Sequence, residues 1–140
     1  MNLSSIFWCA EEVEHQSGTP LEVHGMCMAL DYLQNLHSSA IIRSDINTMA
    51  EMIKPETYGE FRLVPVRFGN GNLGLDASLI PHTVKSLLEA QSFLSPLEFY
   101  VEFEKIHPFI DGNGRVGALL YNYLNNTIFT PVHVPYQFKE

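Results

Sequence analysis

The feature that most constrains the fold is a proline followed closely by a pair of glycines. Helical apolar spacing runs from Pro96 to Ile106, stops at His107-Pro108, and resumes at Asn113 behind Gly112. A residue before proline is pushed out of the helical region, and Gly112-Asn113-Gly114 gives backbone that can turn tightly into a new helix. The run HPFIDGNGR, residues 107–115, is therefore a loop between two helices. Its last residues lie at a helix N-terminus, where backbone N–H groups point outward and favour anions.

Helical patterns dominate the rest of the chain. Residues 5–15 read as a short helix. Thr19 is placed as an N-cap with Pro20 at the first helical position, and Val23, Met26, Cys27, Leu30, Leu33 and Leu36 keep helical spacing. A further helix is expected from about Ser39 to Lys54 on Ile42, Ile46, Met49 and Ile53, stopped by Pro55. Residues 81–93, 96–106 and 113–125 complete the helical set. Between them Glu60 to Phe68 changes to an alternating, β-branched pattern. It predicts a strand, with Gly69-Asn70-Gly71-Asn72 as the turn and Leu73 to Leu75 as a short return. Pro65 marks that strand as an edge. The expected fold is mainly α, one domain over residues 1–140, with a hairpin at about 60–75.

The formal net charge is −8, which argues against non-specific nucleic-acid binding, since that depends on Lys and Arg neutralising phosphates. A single local nest with one arginine is still compatible with a nucleotide. Cys9 and Cys27 lie in apolar surroundings without any small disulfide framework, so both read as buried free thiols rather than a bridge. The first residues carry no basic stretch, acids follow their short apolar run, and no apolar stretch reaches membrane length. The expectation is a cytoplasmic protein without a membrane partner; delivery by a secretion system that leaves no signature is compatible with it.

Taken singly, the residues of the loop have ordinary explanations: a helix-ending His107, an Asp111 facing a helix dipole, a plain glycine turn, a solvated Arg115. Gly69–Asn72 shows that such a turn occurs here without evident chemistry. In fixed order and spacing at a helix start, however, they form a set. A histidine of ordinary pKa, ~6.5, accepts a proton from a hydroxyl at neutral pH. Magnesium commonly uses one or two carboxylates beside phosphate oxygens, which Asp111 suits. Gly112, Asn113 and Gly114 offer converging N–H groups, and Arg115 a planar fork for phosphate oxygens. Phe109 reads as an apolar anchor.

This run resembles the signature of the Fic (Fic/Doc) superfamily, HxFx(D/E)GNGRxxR, matched in order by His107, Phe109, Asp111, Gly112, Asn113, Gly114 and Arg115. The resemblance extends over nearly the whole chain, with residues 58–69 similar to the family's β-hairpin flap. It implies a Fic-type helical bundle with a central helix-loop-helix and one β-hairpin flap. It also implies transfer of AMP from Mg-ATP to a Ser, Thr or Tyr hydroxyl of a target protein. In that scheme His107 is the general base and Asp111 holds Mg²⁺. Asn113 and the loop N–H groups hold the α-phosphate, and Arg115 clamps the β-phosphate. The flap residues Arg62, Leu63, Val64, Pro65 and Val66 pair with the target's backbone.

Two positions depart from the family pattern. The last motif arginine falls at Ala118, which removes a contact to the γ-phosphate. The family's inhibitory motif, (S/T)xxxE(G/N), has its nearest counterpart at Ala10 to His15, where Glu14 holds the glutamate position and Ala10 and His15 break the pattern; Glu14 reads as a solvated helix residue. The GNGR form favours nucleotidyl transfer over the phosphorylating Doc branch. Ala118 keeps two other readings open: transfer of UMP, GMP or phosphocholine, and a weakly active domain that binds a nucleotide or a protein. An unrelated α-helical domain is the remaining alternative.

Overall fold

The computed structural model describes residues 1–135. Helix α1, Leu3–His15, starts where the Asn2 side chain accepts the Ser5 N–H at 2.9 Å. It buries Ser5, Trp8, Cys9, Glu12 and Val13 as one stripe of helical period. A 3-10 turn, Pro20–Glu22, leads from the expected Thr19 into α2, Val23–Gln34. Here the Glu22 carboxylate reaches back to the Thr19 N–H. Helix α2 crosses α3, Arg43–Ile53, closely enough that a Cβ at Gly25 would lie 2.2 Å from the Met52 carbonyl oxygen.

Helix α3 begins later than its apolar spacing suggests. The side chain of Asp45 accepts the Ile42 N–H at 2.9 Å and so fixes an extended approach to the helix. Ile41, not Ile42, is the buried residue. Asp45 also takes the Tyr32 hydroxyl at 2.6 Å, and this hydrogen bond to the neutral phenol, aided by burial, pushes the Tyr32 pKa up to about 12. The Gln91 side chain then pairs with both backbone groups of Ile41, at 2.9 and 2.8 Å. That ties the start of α3 to the end of α4, Ile80–Glu89, which stops short of residue 93 in a separate 3-10 turn.

Helix α5, Pro96–Ile106, opens with a reciprocal cap between Ser95 and Glu98, and buries Phe99, Tyr100, Phe103, Glu104 and Ile106. Helix α6, Asn113–Leu124, is the centre of the bundle. From Asn113 to Asn122 every residue but Gly114 is buried, as befits a helix with neighbours on all sides. It packs mainly on α5 and also on α3 and α2, while α1 covers α2.

The expected hairpin takes a different form: among the described residues there is no strand. One isolated antiparallel bridge joins Arg67 and Leu73, with Phe68 N–H donating to Asn72 O and Gly74 N–H to Val66 O, both at 2.8 Å. The turn at 69–72 is where the sequence places it. Strand pairing fails on either side for identifiable reasons. Phe61 and Arg62 are buried in succession and Leu63 to Pro65 exposed in succession, so the alternation that a strand requires is absent. Pro65 has no N–H to give, and the Arg62 N–H goes to Pro108 O at 2.9 Å.

The thiols of Cys9 and Cys27 are unbridged, Cys9 buried and Cys27 only partly so. Burial, with the neighbouring Cys27, pushes the Cys9 thiol far up. No helix among the described residues is long and apolar enough to cross a membrane.

After α6 the chain is pinned by Asn122, which is fully buried. Its amide donates to Ala118 O and Val132 O, and its oxygen accepts from Thr127 Oγ1 and Val132 N–H, at 2.7–3.0 Å. Asn122→Leu removes all four bonds and leaves Val132 backbone groups without partners. It should cost about 2 kcal/mol or more, read as a fall in the urea midpoint; an unchanged midpoint would show that this network carries no net stability.

Candidate active site

The loop between α5 and α6 is held from inside by Asn113. Its side-chain amide donates to Phe109 O at 2.8 Å and accepts the Phe109 N–H at 2.9 Å. Phe109 itself is fully buried and meets the Phe61 ring at 5.5 Å. The Asn113 side chain, 3% exposed, is thus committed to folding the loop, and what it offers to an anion is its backbone N–H. The N–H groups of Asn113, Gly114 and Arg115 form the first turn of α6 and have no partners within the helix. Gly112 caps that turn at φ 84, where a side chain would be strained and would also meet the Lys54 stem.

His107 ends α5 in the left-handed region, φ 50 and ψ 62. This geometry is uncommon for a residue with a side chain, although histidine, like asparagine and aspartate, adopts it more often than most. The Phe68 ring stands edge-on to its imidazole at 5.5 Å. His107, Asp111, Arg115 and Ala118 all line one cleft of about 450 Å³, with Gly112 to Gly114 as its floor. The far wall comes from Tyr100 and Glu104 of α5 and from Glu12 and Gln16 at the end of α1. Gln16 lies so close over Gly114 that a Cβ there would sit 2.2 Å from its Oε1.

The charges of the site form an alternating chain. Arg115, 4% exposed, donates to the Glu22 carboxylate. Lys54 lies 3.1 Å from Glu22 and 3.2 Å from Asp111. The Arg115 guanidinium, aided by Lys54, holds the Glu22 carboxyl down at about 2. Burial opposes the Lys54 charge, but Glu22 and Asp111 overcome it and hold the ammonium above its ordinary pKa. Two cations and two carboxylates cancel, so the loop has little net charge of its own. Asp111 accepts the Gly112 N–H with one oxygen at 2.7 Å and the ammonium with the other. A carboxylate that already attracts a cation at the cleft edge fits a hard metal ion. Among the described residues no group of three or more His, Cys, Asp or Glu is arranged to hold a metal alone. A metal at Asp111 would therefore need further oxygens, such as those of a phosphate.

The sequence pattern singled out the loop residues, and the fold brings His107, Asp111 and Arg115 into one cleft. Glu22 and Lys54 were not legible: they come from two other elements and carry no local motif. The acid of α1 that faces the cleft is Glu12, 2% exposed, whereas Glu14 is exposed on the other side of the helix. Glu12 is held by Gln16 at 2.9 Å and by His133, and Glu12, with Glu11 behind it, holds the His133 imidazole above its ordinary pKa. Of the expected flap residues, Leu63 is 90% and Val64 48% exposed, and Pro65 is exposed and Val66 half-buried. Arg62 is the exception, its guanidinium turned inward on main-chain carbonyls.

The depressed Glu22 pKa makes a pH prediction. Stability from this carboxylate is complete above the unfolded value near 4.5 and is lost as pH falls towards 2. A depression of that size corresponds to on the order of 3 kcal/mol. Glu22→Gln should lower stability at pH 7 and flatten the acid limb between those values; an acid limb identical to wild type would mean that another carboxylate controls it.

Comparison with known proteins places this architecture. The Fic/DOC family model matches residues 28–124. The protein adenylyltransferase Fic of Drosophila grimshawi is 30% identical over 137 residues, covering 83% of this chain and 27% of that protein. A Fic family protein from Desulfovibrio desulfuricans G20 matches in structure with a TM-score of 0.70 at 21% identity, over 89% of this chain and 47% of the other. The Fic-1 protein of C. elegans matches with a TM-score of 0.64 at 25% identity, over 79% and 37%. The chain thus spans about a quarter of the curated relative and about half or less of these structures. With the family model covering most of the chain and the loop folded at a helix N-terminus, the protein belongs to the Fic/DOC family.

Proposed function

We propose that this chain is a Fic-type protein adenylyltransferase, moving AMP from Mg-ATP to a Ser, Thr or Tyr hydroxyl of a target protein. The observation that carries the reading is that His107, Asp111 and Arg115 open onto one cleft floored by the first turn of α6. The name of the Drosophila grimshawi relative supports the same chemistry.

In this reading the α-phosphate rests against the N–H groups of Asn113, Gly114 and Arg115, and Arg115 takes the β-phosphate. Asp111 holds Mg²⁺, which when bound screens the phosphate charge. The target oxygen attacks the α-phosphorus, its proton passes to His107, and the bond to the β-phosphate oxygen breaks to release pyrophosphate. The segment from Leu63 to Val66 receives the target's extended backbone; Arg62, buried and with its N–H on Pro108 O, takes no part in that pairing. The setting is the cytoplasm, where Mg-ATP is at hand.

One observation favours a second donor. Where the family signature has its last arginine, Ala118 lines the cleft beside Glu104 and Glu12. A wall with alanine at that position lacks the cation that the signature's last arginine would bring to a γ-phosphate. It suits a donor whose chain of phosphates ends at the β position, such as a phosphocholine-bearing diphosphate, or UMP or GMP transfer with a weakly held triphosphate. It also suits a domain that binds a nucleotide with little turnover.

Incubation with Mg²⁺ and each nucleoside triphosphate or diphosphate donor, followed by intact and peptide mass spectrometry, tests the proposal. The expected result is a nucleotide-monophosphate mass on a Ser, Thr or Tyr of the protein or of an added target, absent with His107→Ala. A phosphocholine mass instead would select the second donor. Label that persists at full rate in His107→Ala would overturn the base.

A further inference from the structure

Arg62 does not line the cleft, yet its side chain donates to four main-chain carbonyls, one of them of His107. It is 4% exposed. Nε donates to His107 O at 2.7 Å, Nη1 to Val64 O at 2.9 Å, and Nη2 to Leu75 O at 2.7 Å and Ile106 O at 3.3 Å. Its own N–H donates to Pro108 O at 2.9 Å. Three successive carbonyls, of residues 106, 107 and 108, therefore turn towards one residue. They end α5, where the helix dipole is negative and a guanidinium is the favoured partner.

The residue at the middle of that run is His107, in the left-handed region at φ 50. A residue with a side chain pays a conformational cost there, which contacts from its surroundings offset. The His107 N–H is tied to Phe103 O in the last turn of α5, and two further contacts hold the residue: the Arg62 fork on the carbonyl side and the Phe68 ring, edge-on at 5.5 Å, on the imidazole side. Both come from the 60–75 segment. The same guanidinium also holds the two arms of that segment together, through Val64 O and Leu75 O.

We propose that Arg62 is the positioning residue for His107: it fixes the base in its left-handed backbone and fixes the exposed segment to it, so that the base and the target's docking strip share one register. The proposal rests on the reading of His107 as the base. Arg62 touches no reacting atom in this scheme. Burial, which acts to lower its pKa and is partly offset by Asp76, leaves a guanidinium still charged at any working pH. A lysine can reach fewer of the four carbonyls because it lacks the planar fork.

The test uses the full chain with Arg62→Lys and Arg62→Met, and His107→Ala as the reference. Three readouts are needed: kcat separated from donor KM, donor affinity by calorimetry, and the backbone and ring NMR signals of His107. In folded Arg62→Met, kcat should fall by about tenfold or more while donor affinity stays near wild type, and the His107 backbone signals should leave the left-handed range. Arg62→Lys should recover part of kcat, and Arg62→Met should add no loss in the His107→Ala background. Wild-type kcat with unmoved His107 signals overturns the proposal. So does a loss of kcat and donor affinity together with His107 signals in place, which is the mark of a general structural role. Should Arg62→Met fail to fold, the Arg62→Lys signals of His107 decide alone. Should wild type transfer nothing, the base reading fails, while the NMR signals still decide whether Arg62 holds residue 107.

Discussion

The structure turns on the amide of Asn113, which closes the α5–α6 loop by bonding both backbone groups of Phe109. That clasp has two consequences. It directs the Phe109 ring into the core beside Phe61. It also brings α6 in with its first N–H groups facing the cleft, while Gly112 makes the left-handed step that an ordinary residue resists. Everything that the site can do with an anion follows from the direction in which α6 enters.

The electrostatics follow a different logic from that of a preformed positive pocket. Arg115, Glu22, Lys54 and Asp111 alternate in sign across three separate elements. The pairs keep a buried arginine in a fixed pose and hold the Glu22 carboxylate ionised, since removing one member of a buried pair leaves the other uncompensated. The phosphate loop and its two partners are then close to neutral, in a chain that is acidic as a whole. An anion entering the cleft gains most when it brings a cation for Asp111, which is a physical reason for the pairing of polyphosphate with metal in this reading.

What the sequence revealed, and what it hid, divides along the range of the interactions. Helix α5 and the start of α6 were legible because prolines and glycines act within a few residues: Pro96, Pro108, Gly112. The loop chemistry was legible for the same reason. The 60–75 segment misled, because β-branched composition and a glycine turn predict strands, while the burial of Arg62 against the end of α5 takes away the pairing. Glu22, Lys54, Asn122 and the Arg62 fork depend on contacts between distant parts of the chain, which no local spacing reports. Ile42 failed for a smaller reason: Asp45 uses its carboxylate to hold an extended residue where the apolar period suggested another helical turn.

The proposed chemistry requires the loop to take a polyphosphate together with its metal. Calorimetric titration of ATP, once in magnesium and once in EDTA, with Asp111→Ala alongside, tests that directly. The account predicts binding that weakens by about tenfold or more without the metal, a difference that Asp111→Ala erases. Equal affinity in both buffers, or a full metal effect in Asp111→Ala, would contradict it.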